Sequence, residues 1–248
     1  MSTWQTKKLG DICDAFMDGD WIEKKDQSDC GIRLLQTGNI GNGYFKDRAE
    51  KARYISDETF KKLRCTEVVE GDCLVSRLPD PIGRSCVICK TTEKMITAVD
   101  CSILRFKKDI LSKWFIYFSL SDSYQNQINK LISGATRQRI SRNNLGLINI
   151  PITDILEQQR IVKILDETFD SIDKAKSIAE KNLQNSKNLL EAYLDLVFSN
   201  PAKGWIEKSL KEVCKYDKSP NKTTNLPYVG LEDIQSNTGK LVGPINPR

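Results

Sequence analysis

Residues 157–198 read EQQRIVKILDETFDSIDKAKSIAEKNLQNSKNLLEAYLDLVF, a stretch with no glycine and no proline. Pro151 and Asp154 precede it, and Pro201 and Gly204 follow it. Apolar or small residues recur at Val162, Leu165, Phe169, Ile172, Ala179, Leu183, Ser186, Leu190, Tyr193 and Val197, in alternating steps of three and four broken only at Lys176. A seam of that period, held over about six heptads, predicts one long helix that packs lengthwise on another helix. At 1.5 Å of rise per residue it would run roughly 60 Å. Helices of globular cores average about three turns. A coiled-coil strut therefore fits better than a core helix, and Val162, Leu165, Phe169, Ile172, Leu183, Leu190, Tyr193 and Val197 are its candidate dimerisation residues.

On the N-terminal side of this helix, residues 1–155 alternate short β-type runs with turn chemistry. Ile32 to Leu35, Cys73 to Ser76, Cys86 to Cys89 and Ser102 to Phe106 read as strands. Gly41-Asn42-Gly43, Glu70-Gly71-Asp72 and Pro79-Asp80-Pro81 separate them. The aromatic-rich run from Ser112 to Ser133 predicts a single helix, with Ser112 to cap it and Gly134 to end it. The fold class is α+β.

On the C-terminal side, the chain repeats itself. Trp4 to Cys13 aligns without gaps to Trp205 to Cys214: Trp, Lys, Leu and Cys are identical, and Asp/Glu and Ile/Val match. Leu34 to Ile40 has a weaker echo in Tyr228 to Ile234. A period of about 200 residues is domain duplication rather than a solenoid. The expected organisation is a domain over 1–155, a spacer helix over 156–199 and the start of a second, truncated domain over 200–248.

Composition narrows the chemistry. The 248 residues carry a net charge of +5, too mild to argue for nucleic acid by itself. There is no histidine, which removes Ser-His-Asp and Cys-His machinery and His metal ligands. Eight cysteines without a secretory leader read as reduced thiols in a cytoplasmic protein. Cys86 and Cys89 form a lone Cys-x-x-Cys in a strand-like run, where i and i+3 face opposite sides, and a zinc site would need a second pair. No stretch has the length of a membrane span. Neither a phosphate-binding Gly-x-x-x-x-Gly-Lys-Ser/Thr loop nor a methyltransferase Asn/Asp-Pro-Pro-aromatic site is present. Asp72, Asp80 and Asp100 form no recognisable nuclease spacing, although pattern alone leaves that class open. No catalytic residue and no metal ligand is assigned.

Domain, long helix and second domain opening, in that order, resemble the specificity subunit of type I restriction-modification systems, here in truncated or half-subunit form. Trp4, Lys7 and Leu9-Gly10-Asp11-Ile12 are similar to that family's domain opening. Gly134-Ala135-Thr136-Arg137-Gln138, with Ile140, Leu145 and Ile148 to Pro151, resembles the stretch that closes a target recognition domain. Glu157 to Val162, with Leu165-Asp166, resembles the start of its spacer helix. The resemblance implies a non-catalytic reader of double-stranded DNA, each domain taking half of a split target. Its partners would be methyltransferase subunits carrying S-adenosylmethionine and restriction subunits using ATP, with no cofactor on this chain. A complete member carries two recognition domains and two helices; here the second helix is missing, so a homodimer formed antiparallel through the spacer helix is the simplest repair. A coiled-coil adaptor without DNA binding is the alternative.

Side-chain chemistry nominates the readers, since Arg pairs bidentately with guanine and Asn or Gln with adenine. Thr136, Arg137, Gln138, Arg139 and Arg142 lie in a donor-rich stretch without a carboxylate. Arg77 and Arg84 bracket a stiff proline loop, where they either contact DNA or pair with local acids. Gln36, Asn39 and Asn42 follow a strand, in either a contact loop or a plain hairpin turn.

Overall fold

The computed structural model describes residues 4–89, 91–134, 137–215, 229–236 and 238–243. In chain order the elements are β1 (Gln5–Lys8), β2 (Cys13–Asp18), β3 (Ile32–Leu35), β4 (Tyr54–Ile55), α1 (Asp57–Leu63), β5 (Cys73–Ser76), β6 (Ser85–Val87), β7 (Met95–Thr97) and β8 (Cys101–Phe106). They continue with α2 (Ser112–Ser119), α3 (Asp122–Leu131), α4 (Arg142–Gly146), β9 (Asn149–Ile152), α5 (Ile155–Ser199) and α6 (Leu210–Val213). The fold is α+β, with a long helix after a sheet-containing domain. The chain divides into two compact units, Met1–Lys181 and Asn182–Arg248, so the division falls within α5.

In the first unit, β2, β8, β5 and β6 form an antiparallel sheet in that order, and β3 lies between antiparallel β4 and parallel β7. β1 pairs antiparallel with β9, Gln5 opposite Ile152, which brings the first and last strands together just before α5. β5 is buried at every position because it is central in its sheet and covered on both faces. On one side lie Phe115, Tyr124 and Ile128, all fully buried in one cluster with Val75, Leu104 and Ile150. The Phe115 and Tyr124 rings meet edge to face at 5.9 Å, and Tyr124 Oη donates to the Gly83 carbonyl at 2.9 Å. Truncating Phe115 to alanine here would cost about 3–5 kcal/mol.

The expected single helix from Ser112 to Ser133 is two. α2 ends at Ser119 and α3 begins at Asp122, with Ser121 as the break. Ser121 Oγ accepts from Tyr124 N at 3.3 Å and donates to the Phe118 carbonyl at 2.7 Å. The side chain thus competes with the helical ladder, as serine does at N-caps. Ser112 does not cap α2: Leu111 holds that position, and Ser112 Oγ donates to the Gly71 carbonyl instead. β6 ends at Val87, so Cys89 falls outside it; Cys86 is buried and Cys89 exposed.

The start of α5 is fastened to the domain by Gln158, which is fully buried. Its Nε2 donates to the Asp109 and Thr153 carbonyls at 3.0 and 2.8 Å, and its Oε1 accepts from Leu111 N at 3.1 Å. Asp154 Oδ1 accepts from Glu157 N at 2.9 Å, satisfying one of the donors a helix start leaves free. Val162 completes the anchor by entering the same apolar cluster as Phe115.

The second unit repeats local geometry of the first. Leu9–Ile12 forms a 3-10 turn and Leu210–Val213 a single helical turn at the equivalent place. Thr37–Asn39 and Leu231–Asp233 are both 3-10 turns closed from their last residue: Asn39 Oδ1 accepts from Gln36 N at 2.9 Å, and Asp233 Oδ2 from Gly230 N at 2.8 Å. The following isoleucines, Ile40 and Ile234, each make an antiparallel bridge to the returning chain. The weak sequence echo is therefore a repeated turn.

Candidate nucleic-acid interface

Four short loops of the first unit converge on one cleft of about 690 Å³. Gln36 to Asn39 come from the turn after β3, and Leu78 from the loop after β5. Ala98 and Asp100 come from the β7–β8 turn, and Arg137 from the loop after α3. Arg48, Lys51 and Arg53 supply a further wall before β4. Four cations thus face one carboxylate, Asp100. Arg137 Nη2 pairs with Asp100 Oδ2 at 3.2 Å. Among the described residues no carboxylate stands within ion-pair distance of Arg48, Lys51 or Arg53. Concave cationic surface with low-dielectric walls concentrates its field outward and attracts a polyanion.

The loop that carries Arg137 is pinned at its base. Ser133 and Arg139 exchange backbone hydrogen bonds at 3.0 and 2.9 Å, and Ile140 N donates to the Arg77 carbonyl at 3.1 Å. Gly134 sits at φ +102°, where a Cβ would lie 2.4 Å from the Arg137 carbonyl oxygen, so only glycine fits this return. Across the cleft, a Cβ on Gly38 would lie 2.3 Å from Arg48 Nη1; the missing side chain is what lets that guanidinium lie on the turn.

The nominated residues fall into three groups. Arg137 and Gln36 line the cleft, Arg137 exposed and Gln36 half-buried. Gln138, Arg139 and Asn42 are exposed and Arg142 half-buried at the start of α4, all outside the cleft lining; Thr136 lies outside the described residues. Arg77, Arg84 and Asn39 are buried. Arg77 Nη2 donates to the Val99 carbonyl, with Asp18 3.6 Å from its Nε. Arg84 donates to five main-chain carbonyls. Asn39 lines the cleft, but its Nδ2 donates to the Lys46 carbonyl at 3.1 Å and its Oδ1 holds its own turn. These three are held inside the fold rather than presented to the cleft, although Arg77 Nε itself has no hydrogen-bond partner among the described residues. Sequence reading missed Arg48, Lys51 and Arg53; the available signal was three cations within six residues just before β4, with Glu50 the one acid among them.

The seam residues also separate. Val162 is buried and Leu165 half-buried against the domain, and Phe169 stacks on Tyr117. Ile172, Leu183, Leu190 and Tyr193 are each more than half exposed.

This α+β domain with its docked long helix is a known class. The chain belongs to the type I restriction modification DNA specificity domain family, which matches residues 1–182. It is 35% identical over 94 residues to the EcoKI specificity subunit of Escherichia coli, covering 38% of this chain and 20% of that subunit. It is 23% identical over 194 residues to the MjaVIII specificity subunit of Methanocaldococcus jannaschii, covering 75% of this chain and 45% of that subunit. The chain thus spans less than half the length of these relatives. The fold is shared with the crystal structure of an HsdS subunit from Thermoanaerobacter tengcongensis, with a TM-score of 0.57, 20% identity and coverage of 77% of this chain and 44% of that one. It is shared equally with a chain from a type I restriction-modification assembly, at a TM-score of 0.60 and 22% identity over 77% of this chain and 45% of that one. Among the described residues no helix is long and apolar enough to cross a membrane.

Proposed function

We propose that this chain is a sequence-reading subunit for double-stranded DNA in a type I restriction-modification assembly. It supplies the address, while methyltransferase and restriction subunits supply S-adenosylmethionine- and ATP-dependent chemistry. The observation that carries this reading is the cleft: Arg48, Lys51, Arg53 and Arg137 around the Gln36 to Asn39 turn, in a chain whose family is named for DNA specificity. Cations outside the reach of carboxylates suit phosphate, and the Gln36 and Arg137 side chains suit base edges. An adaptor without DNA binding would have no use for such a cleft.

The uncovered seam of α5 supports a second copy of this chain as its partner, packed antiparallel. A two-fold dimer would present one recognition domain to each half of the site, so the target would be an interrupted palindrome. Methylome sequencing of cells expressing this chain with its methyltransferase subunit tests both points. A methylated, interrupted palindrome supports the reading; absence of any chain-dependent motif overturns it.

A further inference from the structure

Arg84 sits at the base of the β5–β6 hairpin, where its backbone is fixed. Ser76 N donates to the Arg84 carbonyl at 2.9 Å, and Gly83 N to the Ser76 carbonyl at 2.8 Å. From there the side chain reaches two loops at once. Nη1 donates to the Leu78, Pro79 and Pro81 carbonyls at 3.0, 2.6 and 3.0 Å. Nε donates to the Ile40 carbonyl and Nη2 to the Thr37 carbonyl, each at 2.8 Å. Arg84 is 9% exposed, and among the described residues no carboxylate is in ion-pair distance of its guanidinium. A buried charge without a counterion persists only where dipoles replace water around it. Here five carbonyls do so, all from two loops that line the cleft through Thr37 and Leu78.

We propose that Arg84 is a positioning residue for sequence discrimination: it locks the 37–40 turn to the 78–81 loop, so that both cleft walls meet DNA at one set separation. The inference rests on the DNA-reading function proposed above. The planar fork with donors on three nitrogens is what the task requires. A lysine at this position keeps the charge but has one nitrogen, which cannot serve two loops. Preorganised walls discriminate because a wrong base then leaves polar groups unpaired instead of being accommodated by loop movement.

The test compares Arg84→Lys with the unsubstituted chain, each bound to its methyltransferase subunit. The duplex carries the site found by methylation mapping, or a scrambled version of it, over a range of salt. The lysine variant should lose roughly tenfold or more of its preference for the mapped site, while the salt slope stays the same because no phosphate contact is removed. A folded lysine variant with undiminished preference overturns the proposal. Amide exchange in the unsubstituted chain gives a second measurement that needs no variant. Asn39 N–H and Gly83 N–H, on opposite sides of the clamp, should open together with one free energy. Independent opening of the two also overturns it, including where the lysine variant does not fold. If the unsubstituted chain shows no site preference, the DNA reading itself fails, and the exchange result still decides the clamp.

Discussion

The Tyr117 ring lies flat on the Phe169 ring, centroids 5.5 Å apart and planes 5° from parallel. This is where α5 leaves the recognition domain. Before it, Gln158 and Val162 are buried in the domain; after it, Ile172, Leu183, Leu190 and Tyr193 are exposed, while Val197 is half-buried. An aromatic pair contributes about 0.5–1.5 kcal/mol beyond its buried area. Phe169→Ala should therefore lower the melting temperature by about 2–4 °C, measured by calorimetry, without changing affinity for DNA in the cleft.

The same junction should be pH-sensitive. Burial alone would raise the Asp166 pKa, but hydrogen bonds from Lys113 and Tyr117 outweigh it and hold the carboxyl below its ordinary value. A depressed carboxylate pKa contributes stability above the unfolded value and loses it as pH falls through the folded one. Burial, then the hydrogen bond to Asp166, pushes the Tyr117 hydroxyl well above its ordinary value, so its contribution is lost as pH rises above about 10. Fluorescence from Trp114, which neighbours this junction, should report loosening below about pH 4 and above about pH 10. Asp166→Asn should flatten the acid limb.

Assembly through α5 is best probed away from the domain. Leu165 is half-buried against the domain, so a charge there would disturb the fold as well. Leu183 and Leu190 are both 60% exposed in the single chain. Burying such a side chain contributes about 1.5–3 kcal/mol. Replacing both with Asp should raise the dimer dissociation constant by about a thousandfold or more and leave the domain's circular dichroism unchanged. Light scattering that finds the same oligomer for this double variant would refute the seam as the interface.

Within the cleft, Arg48 and Arg137 should differ. Alanine at a base-reading Arg137 should cost about 1–3 kcal/mol at one position of the site and relax the preference there. Alanine at a phosphate-contacting Arg48 should weaken all sequences alike and reduce the salt slope by about one unit. Binding isotherms at several salt concentrations separate the two, and unchanged binding in both variants would remove the cleft from the interface.

Thiol accessibility checks the domain's packing. Cys30, Cys89 and Cys214 are exposed, whereas burial pushes Cys86 and Cys13 up to about 12 and Cys65 and Cys101 up to about 11, and raises Cys73 strongly. Reaction needs the thiolate. A native chain treated with a thiol reagent near neutral pH should label three cysteines quickly and the other five only on unfolding.

Signals carried by neighbours in sequence were legible from the residues alone. The seam of α5, its lack of glycine and proline, and the turn chemistry between strands all act over three or four residues. The duplication was legible too, because Trp205 to Cys214 aligns without gaps to Trp4 to Cys13 and keeps its Trp, Lys, Leu and Cys. Even the faint echo at Gly230 proved to be a repeated turn, closed by Asp233 where the first copy uses Asn39.

What only the tertiary structure decided is which donors are free. Arg77, Arg84 and Arg137 have the same chemistry and stand in equally loop-like sequence. Two of them turn inward because carbonyls arrive from far along the chain: Val99 for Arg77, Thr37 and Ile40 for Arg84. Arg137 stays exposed on a loop pinned at Ser133 and Arg139, with Asp100 as its ion-pair partner. Arg48, Lys51 and Arg53 join it through the pairing of β3 with β4, a long-range event with no local signature. A guanidinium is drawn inward where main-chain carbonyls converge on it, and where those carbonyls lie is a property of the folded chain rather than of any window of its sequence.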